Sequence, residues 1–188
     1  VKVTPQAIPE LLLIEPAVFG DARGFFKETY HQDRYRAAGV EGTFVQDNMS
    51  RSRRGTLRGL HLQNPFAQGK LVSVLEGEVY DVAVDVRVGS PSFGKWVGML
   101  LSAENHRQFW VPPGFAHGFC VTSESALFVY KCTDLYHPET EVGVRFDDPA
   151  LQIPWPVSEP LVSDKDLKHP VLSAIDPARL PRYAGAVR

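Results

Sequence analysis

Tyr80-Asp81-Val82-Ala83-Val84-Asp85-Val86-Arg87-Val88 places an apolar residue at every even position, with Asp81, Asp85 and Arg87 on odd ones. A period of two belongs to a β-strand, whose side chains point alternately to its two faces. The stretch therefore reads as a half-buried strand with one polar face. Outward from it, Leu71–Leu75, Trp96–Leu101, Phe109–Val111, Phe119–Val121 and Ala126–Cys132 are further β-rich runs. Turn signals separate them at Glu76-Gly77-Glu78, Gly89-Ser90-Pro91 and Pro112-Pro113-Gly114. Helical patterning is confined to Gln32–Ala38, stopped by Gly39, and to a turn or two at Pro177–Leu180. Many short strands with regular turns indicate an all-β sandwich or barrel. The expectation is one domain over residues 1–188: a central barrel over about 45–150, short peripheral helices, and N- and C-terminal extensions.

The chain of 188 residues is 44% hydrophobic and 22% charged, as expected of a globular domain rather than a disordered one. Its 20 Lys+Arg against 22 Asp+Glu leave a net charge of −2, so no basic field exists for a nucleic-acid backbone. One small phosphorylated ligand needs only two or three placed cations and is not excluded. The aliphatic run Leu11–Ile14 is far shorter than the roughly 20 residues a membrane span requires. No charged leader with a small-residue cleavage site is visible. Cys120 and Cys132 lie in apolar runs without CxxC spacing and read as buried free thiols. A soluble, cytoplasmic protein is expected, with no membrane partner and no nucleic-acid partner.

Four segments carry groups suited to chemistry. In Arg58-Gly59-Leu60-His61-Leu62-Gln63, strict alternation puts Arg58 and His61 on opposite faces. Both can serve one ligand only if the strand bends, and Gly59 is the place for it. Gln63 and Lys70 follow on the same approach to the barrel. In Pro112-Pro113-Gly114-Phe115-Ala116-His117-Gly118-Phe119, a rigid turn leads into a strand where small neighbours leave space beside His117. This P-x-G-x-x-H pattern matches half of the second cupin motif. The first cupin motif needs an H-x-H pair, and here it is His61-x-Gln63, so a catalytic metal site is short of ligands. Tyr130-Lys131-Cys132-Thr133-Asp134-Leu135-Tyr136 puts a tyrosine on a strand, where an aromatic is ordinarily core. Ser163-Asp164-Lys165-Asp166 by itself is a solvated charge run.

Taken in order, these segments resemble one family, the dTDP-4-dehydrorhamnose 3,5-epimerases among the deoxysugar-nucleotide epimerases of the cupin superfamily. The matching stretches include Val18–Phe26, Phe44–Asn48, Arg58–His61, Gln68–Val72, Gly77–Asp85, Leu101–Asn105, Gly114–Phe119, Tyr130–Thr133 and Ser163–Asp166. The resemblance runs from about Ile8 to Asp166 and implies a cupin-type jelly roll that works without a cofactor or metal. Its substrate is a dTDP-sugar with a ketone at C4, inverted at C3 and C5 on the way to dTDP-L-rhamnose.

By that resemblance His61 is the general base and Asp166 the carboxylate that orients it and stabilises its protonated form. The chain must then fold back to bring the two together. Lys70 stabilises the C4 oxyanion, and Tyr130 returns a proton to the opposite face of the enolate. Inversion requires this division, since one base returning its own proton restores the starting configuration. His117 is implied beside the reacting sugar. Arg23, Glu28, Gln46, Asp47, Asn48, Arg58, Glu141 and Lys165 are implied as nucleotide-binding positions. Arginine suits a diphosphate because its planar fork bonds two oxygens at once. The family is a homodimer whose N-terminal segment reaches across to its partner, so some contacts can come from the second subunit. Met49 stands where the family often has His, and it can neither donate nor titrate. The competing readings are an epimerase acting at only C3 or C5 of a related sugar nucleotide, a non-catalytic sugar-binding cupin, and a metal-dependent cupin.

Overall fold

The structure is a computed structural model and describes residues 1–185. In chain order the strands are β1 (Lys2–Pro5), β2 (Leu12–Glu15), β3 (Val18–Asp21), β4 (Gly24–Lys27), β5 (Gln46–Arg53), β6 (Leu57–Gln63), β7 (Lys70–Glu76), β8 (Glu78–Asp85), β9 (Trp96–Ser102), β10 (Gln108–Val111), β11 (Phe115–Val121), β12 (Ser125–Cys132) and β13 (Glu141–Gly143). One α-helix, α1 (Gln32–Ala37), and four single 3₁₀ turns complete the described residues. A six-stranded sheet in the order β1-β2-β10-β7-β12-β5 faces a five-stranded sheet in the order β13-β6-β11-β8-β9, while β3 and β4 form a separate hairpin. Pairing between the strands is antiparallel throughout. This is a jelly-roll sandwich: the all-β pattern called for a sandwich or barrel, and the resemblance implied the jelly roll.

The space between the sheets is filled from both sides. Val72, Val74, Phe109 and Phe128 come from the larger sheet, and Val79, Ala83, Leu101 and Phe119 from the smaller. Phe119 and Phe128 stack across the gap with ring centroids 3.9 Å apart. The expected polar face of β8 is not a solvent face. Its odd positions look into the sandwich, where Asp81 is fully buried, and its even positions form a second core. That second core closes because residues 144–180 cross the outer face of the smaller sheet and cover Val82, Val84 and Val86 with Leu151, Leu172, Ile175 and Leu180. The strand is therefore buried on both sides, and the C-terminal extension is part of the core.

A second difference lies at the N-terminus. The barrel expected over about 45–150 also takes in β1 and β2, because Leu12–Ile14 pair with Gln108–Trp110 of β10 and complete the larger sheet. Helix α1 then packs Tyr35 against Leu12, Ile14 and Trp110 on that sheet's outer face. The helix stops where Gly39 adopts φ +94°, a conformation that costs a side-chain-bearing residue more than glycine. Both cysteines are free and buried, and burial pushes the Cys120 thiol up to about 11.

At the end of β8, Asp85 is fully buried and accepts from the Arg87 guanidinium at 2.7 and 2.9 Å, from Ser90 Oγ at 2.5 Å and from Ser92 Oγ at 2.6 Å. Burial alone would raise this carboxyl, but the Arg87, Ser90 and Ser92 hydrogen bonds outweigh it and hold it below the usual range. A depressed native pKa stabilises the fold at pH values above the unfolded carboxyl pKa of about 4, and that increment is lost as pH falls through the native value. The melting temperature is thus expected to drop on acidification below about pH 4. Asp85→Asn is expected to lower it at pH 7 and flatten its acid dependence, as thermal melts across pH would show.

Candidate active site

Strand β6 would separate Arg58 from His61 if it were regular. Against β11 the register places His61 opposite His117 and Arg58 opposite Phe119, so three steps on β6 match two on β11. This bulge bends the strand at Gly59 and Leu60 and turns both side chains toward one cavity. Gly59 has φ +127°, and a methyl group there would lie 2.6 Å from Gly118 Cα and 2.8 Å from His117 O. Gly59→Ala is expected to cost more than about 2 kcal/mol of stability, from backbone strain and overpacking together. Denaturant unfolding measures it, and an unchanged midpoint would mean the bulge relaxes.

The cavity, of about 440 Å³, lies inside the sandwich and draws on both sheets. Arg58, His61, His117 and Phe119 come from the five-stranded sheet, and Lys70 and Tyr130 from the six-stranded one. The charge run after Trp155 folds back, and the single 3₁₀ turn Asp166–Lys168 sets Asp166 2.7 Å from His61 Nε2. The same carboxylate accepts from the Gly59 backbone N–H at 3.2 Å, so the bulge also anchors it. One strand over, His117 Nε2 lies 2.8 Å from the buried Asp81 carboxylate. Two imidazole–carboxylate couples thus stand on neighbouring strands, directly cross-paired through His61 and His117.

A family profile described as dTDP-4-dehydrorhamnose 3,5-epimerase matches residues 5–174. The chain belongs to this family. It is 59% identical over 167 residues to the dTDP-4-dehydrorhamnose 3,5-epimerase of Pseudomonas aeruginosa, covering 88% of this chain and 92% of that protein. The enzyme of the same description from Shigella flexneri is 55% identical over 168 residues, covering 88% and 93% respectively. The crystal structure of dTDP-6-deoxy-D-glucose-3,5-epimerase from Legionella pneumophila, in complex with dTDP-4-keto-L-rhamnose, superposes with a TM-score of 0.95. It is 54% identical, and the match covers 98% of this chain and 99% of that one.

The electrostatics differ from group to group. Burial opposes the Asp166 charge, but the His61 hydrogen bond and charge, with the Gly59 N–H, reverse the balance and hold its carboxyl below the usual range. Asp166 is therefore an anion beside the imidazole at neutral pH. Burial pushes the Lys70 ammonium below the ordinary lysine range, only partly opposed by Cys132, Asp81 and Glu141. Its Nζ lies 5.9 Å from the centre of the Tyr130 ring. Burial raises the Tyr130 phenol, keeping it protonated and able to donate.

The other expected residues divide into two groups. Gln46 and Asn48 on β5 pair with Cys132 and Tyr130 on β12. Gln46 Oε1 accepts from the Tyr136 N–H at 2.9 Å, the Tyr136 hydroxyl donates to Glu141 at 3.0 Å, and Lys165 pairs with Glu141. Gln46 Nε2 donates to Asn48 Oδ1 at 3.0 Å, so Gln46, Asn48, Glu141 and Lys165 form one network, of which only Lys165 lines the cavity, while Asn48 borders a separate groove. Arg58 donates to Ser52 Oγ at 3.2 Å. Met49 is 68% exposed at the cavity's edge.

Arg23, Glu28 and Asp47 are not at the cavity of their own chain. Arg23 pairs with Asp21 on the exposed β3–β4 hairpin, Glu28 with Arg34 of α1, and Asp47 with Lys131 beside a separate groove. Three residues at the site were not singled out in the sequence: Asp81, Tyr136 and His169. Asp81 was visible as one of the acids alternating with apolar residues along β8, and His169 as the residue three after Asp166, one turn away in a 3₁₀ segment.

Proposed function

We propose that this chain converts dTDP-4-dehydro-6-deoxy-D-glucose to dTDP-4-dehydro-L-rhamnose, inverting C3 and C5 by removing protons α to the C4 ketone, in dTDP-L-rhamnose biosynthesis. The observation that carries the reading is that His61, paired with Asp166, and Tyr130 line one cavity from opposite sheets. A flat enolate held in that cavity meets a base on one side and an acid on the other. His61 takes the proton from C3 or C5, and the electron pair moves into the C4 carbonyl. Lys70 stabilises the resulting oxyanion, and the Tyr130 hydroxyl protonates the carbon from the opposite face. Both groups return to their starting states by exchange with water. His117, held by Asp81, bonds near the sugar. Gln46, Asn48, Arg58, Glu141 and Lys165 hold the nucleotide.

Turnover in D₂O tests it. Wild-type protein is expected to place deuterium at both C3 and C5, and deuterium at only one carbon would mean a single epimerase. Tyr130→Phe is expected to lose about 10²–10⁴ in epimerisation rate while His61-dependent exchange of substrate hydrogens continues. Full turnover by Tyr130→Phe would assign the acid elsewhere.

The same reading makes the protein a cytoplasmic homodimer. The β3–β4 hairpin exposes Phe19, Phe25 and Phe26 at 65%, 61% and 70%, an apolar patch of the kind that marks an interface. Arg23 lies on that hairpin and Glu28 just beyond it, so a second copy is what carries them to a cavity. Phe26→Asp is expected to shift the protein from dimer to monomer in light scattering and to raise KM for the dTDP-sugar. A monomer with unchanged KM would separate the hairpin from the nucleotide site. The two unpaired, buried thiols support a reducing compartment, and no helix among the described residues is long and apolar enough to cross a membrane.

A further inference from the structure

Gly143 on β13 is the direct cross-strand partner of His61. The space a side chain would take there is filled by the ring of His169, since a methyl group on Gly143 would lie 2.1–2.2 Å from three of its atoms. Glu141, two residues along β13, projects from the same face of the strand. His61, Glu141 and His169 each present one ligand atom within 4.8 Å of the others. The Glu141 and His169 side chains are only 12% and 13% exposed. Among the described residues, Glu141 Oε1 and His169 Nε2 are two of the three buried side-chain polar atoms left without a hydrogen bond. Glu141 Oε1 is in ion-pair contact with the Lys165 ammonium, an exposed side chain that can swing away. His169 Nε2 is 3.3 Å from an Asp166 oxygen that His61 already occupies at 2.7 Å.

Two imidazoles and a carboxylate are the donor set of open three-ligand zinc sites, and they favour zinc-like cations over magnesium or calcium. Tetrahedral bonds of 2.0–2.2 Å put ligand atoms about 3.4 Å apart, so side-chain rotations of about an ångström close the set. A second cavity of about 170 Å³, lined by Glu141, Lys165, His169 and Arg179, offers a route to the cluster from outside.

We propose that His61, Glu141 and His169 form a binding site for one Zn²⁺-class cation that turns the enzyme off by occupying its base. An imidazole bound to a cation cannot accept a proton from carbon. The cation also competes with Lys165 for Glu141. This site is distinct from the His61–His117 set that the cupin motifs suggest. Binding rests on the cluster alone, whereas the loss of turnover rests on His61 acting as the base.

Calorimetric titration of chelator-treated protein with ZnCl₂ is expected to give one strong site per chain. His169→Ala and the bulkier His169→Gln are each expected to weaken it at least about tenfold, as loss of a metal-site partner does. Turnover of wild-type protein should fall with the same zinc midpoint and recover with EDTA. Equal binding by wild type and both His169 variants, or no binding, overturns the site and leaves the base assignment untouched. His169-dependent binding with undiminished turnover overturns the off-switch.

Discussion

His61→Ala is expected to lower kcat/KM by about 10²–10⁴, the usual contribution of a placed general base. On the proposed mechanism one imidazole serves both carbons, so the loss should fall equally on hydrogen exchange at C3 and at C5. His61 sits at the cavity wall with its side chain 30% exposed and outside the hydrophobic clusters, so its removal opens no core void. Affinity for dTDP should therefore stay near wild type, while the melting temperature should fall, because the buried Asp166 carboxylate loses the His61 hydrogen bond that offsets its burial. If one of the two carbons kept its exchange rate in His61→Ala, a second base would have to exist. His117, already coupled to Asp81 at 2.8 Å, is the group to test next.

Lys70→Met is expected to cost roughly 10²–10³ in kcat, or about 3–4 kcal/mol, the effect of removing one aimed donor from a developing oxyanion. Methionine matches the stem of lysine and lacks only the charge, so substrate affinity should change far less than turnover. The stability effect should run the other way. Burial already destabilises the charged form of Lys70 in the free protein. Replacing it by an apolar chain of similar length removes that cost, and the melting temperature is expected to hold or rise. A variant that is both inactive and strongly destabilised would instead mark Lys70 as structural.

The fold was legible because alternation is a local property. Leu71–Leu75, Trp96–Leu101 and Ala126–Cys132 lie within β7, β9 and β12, and Gln32–Ala38 marks α1 to within a residue. What alternation does not reveal is what covers each face. Asp81 and Asp85 are charged, and a charged row on a strand ordinarily faces water. Here one meets His117 inside the sandwich and the other is satisfied by Arg87, Ser90 and Ser92. Likewise nothing local in Leu11–Ile14 says that it pairs with a strand nearly a hundred residues later.

The site was legible only through its ordered motifs. His61 and Asp166 are 105 positions apart, and no spacing argument joins them. The bend at Gly59 was an exception, since alternation itself demanded one if Arg58 and His61 were to share a ligand. The bulge in the β6–β11 register supplies it. Arg23 and Glu28 lie on and just beyond the β3–β4 hairpin, away from the cavity of their own chain.

Residues 144–180 do two jobs at once, sealing the outer core and carrying Asp166 to His61. Synthesis therefore delivers the carboxylate that pairs with His61 together with a piece of the hydrophobic seal. A chain still emerging from the ribosome, or clipped before that stretch has docked, holds an unbuttressed imidazole and an uncovered sheet. Turnover can then serve as an assay of completed folding, and proteolytic nicking near Trp155 should abolish activity and expose dye-binding apolar surface in step.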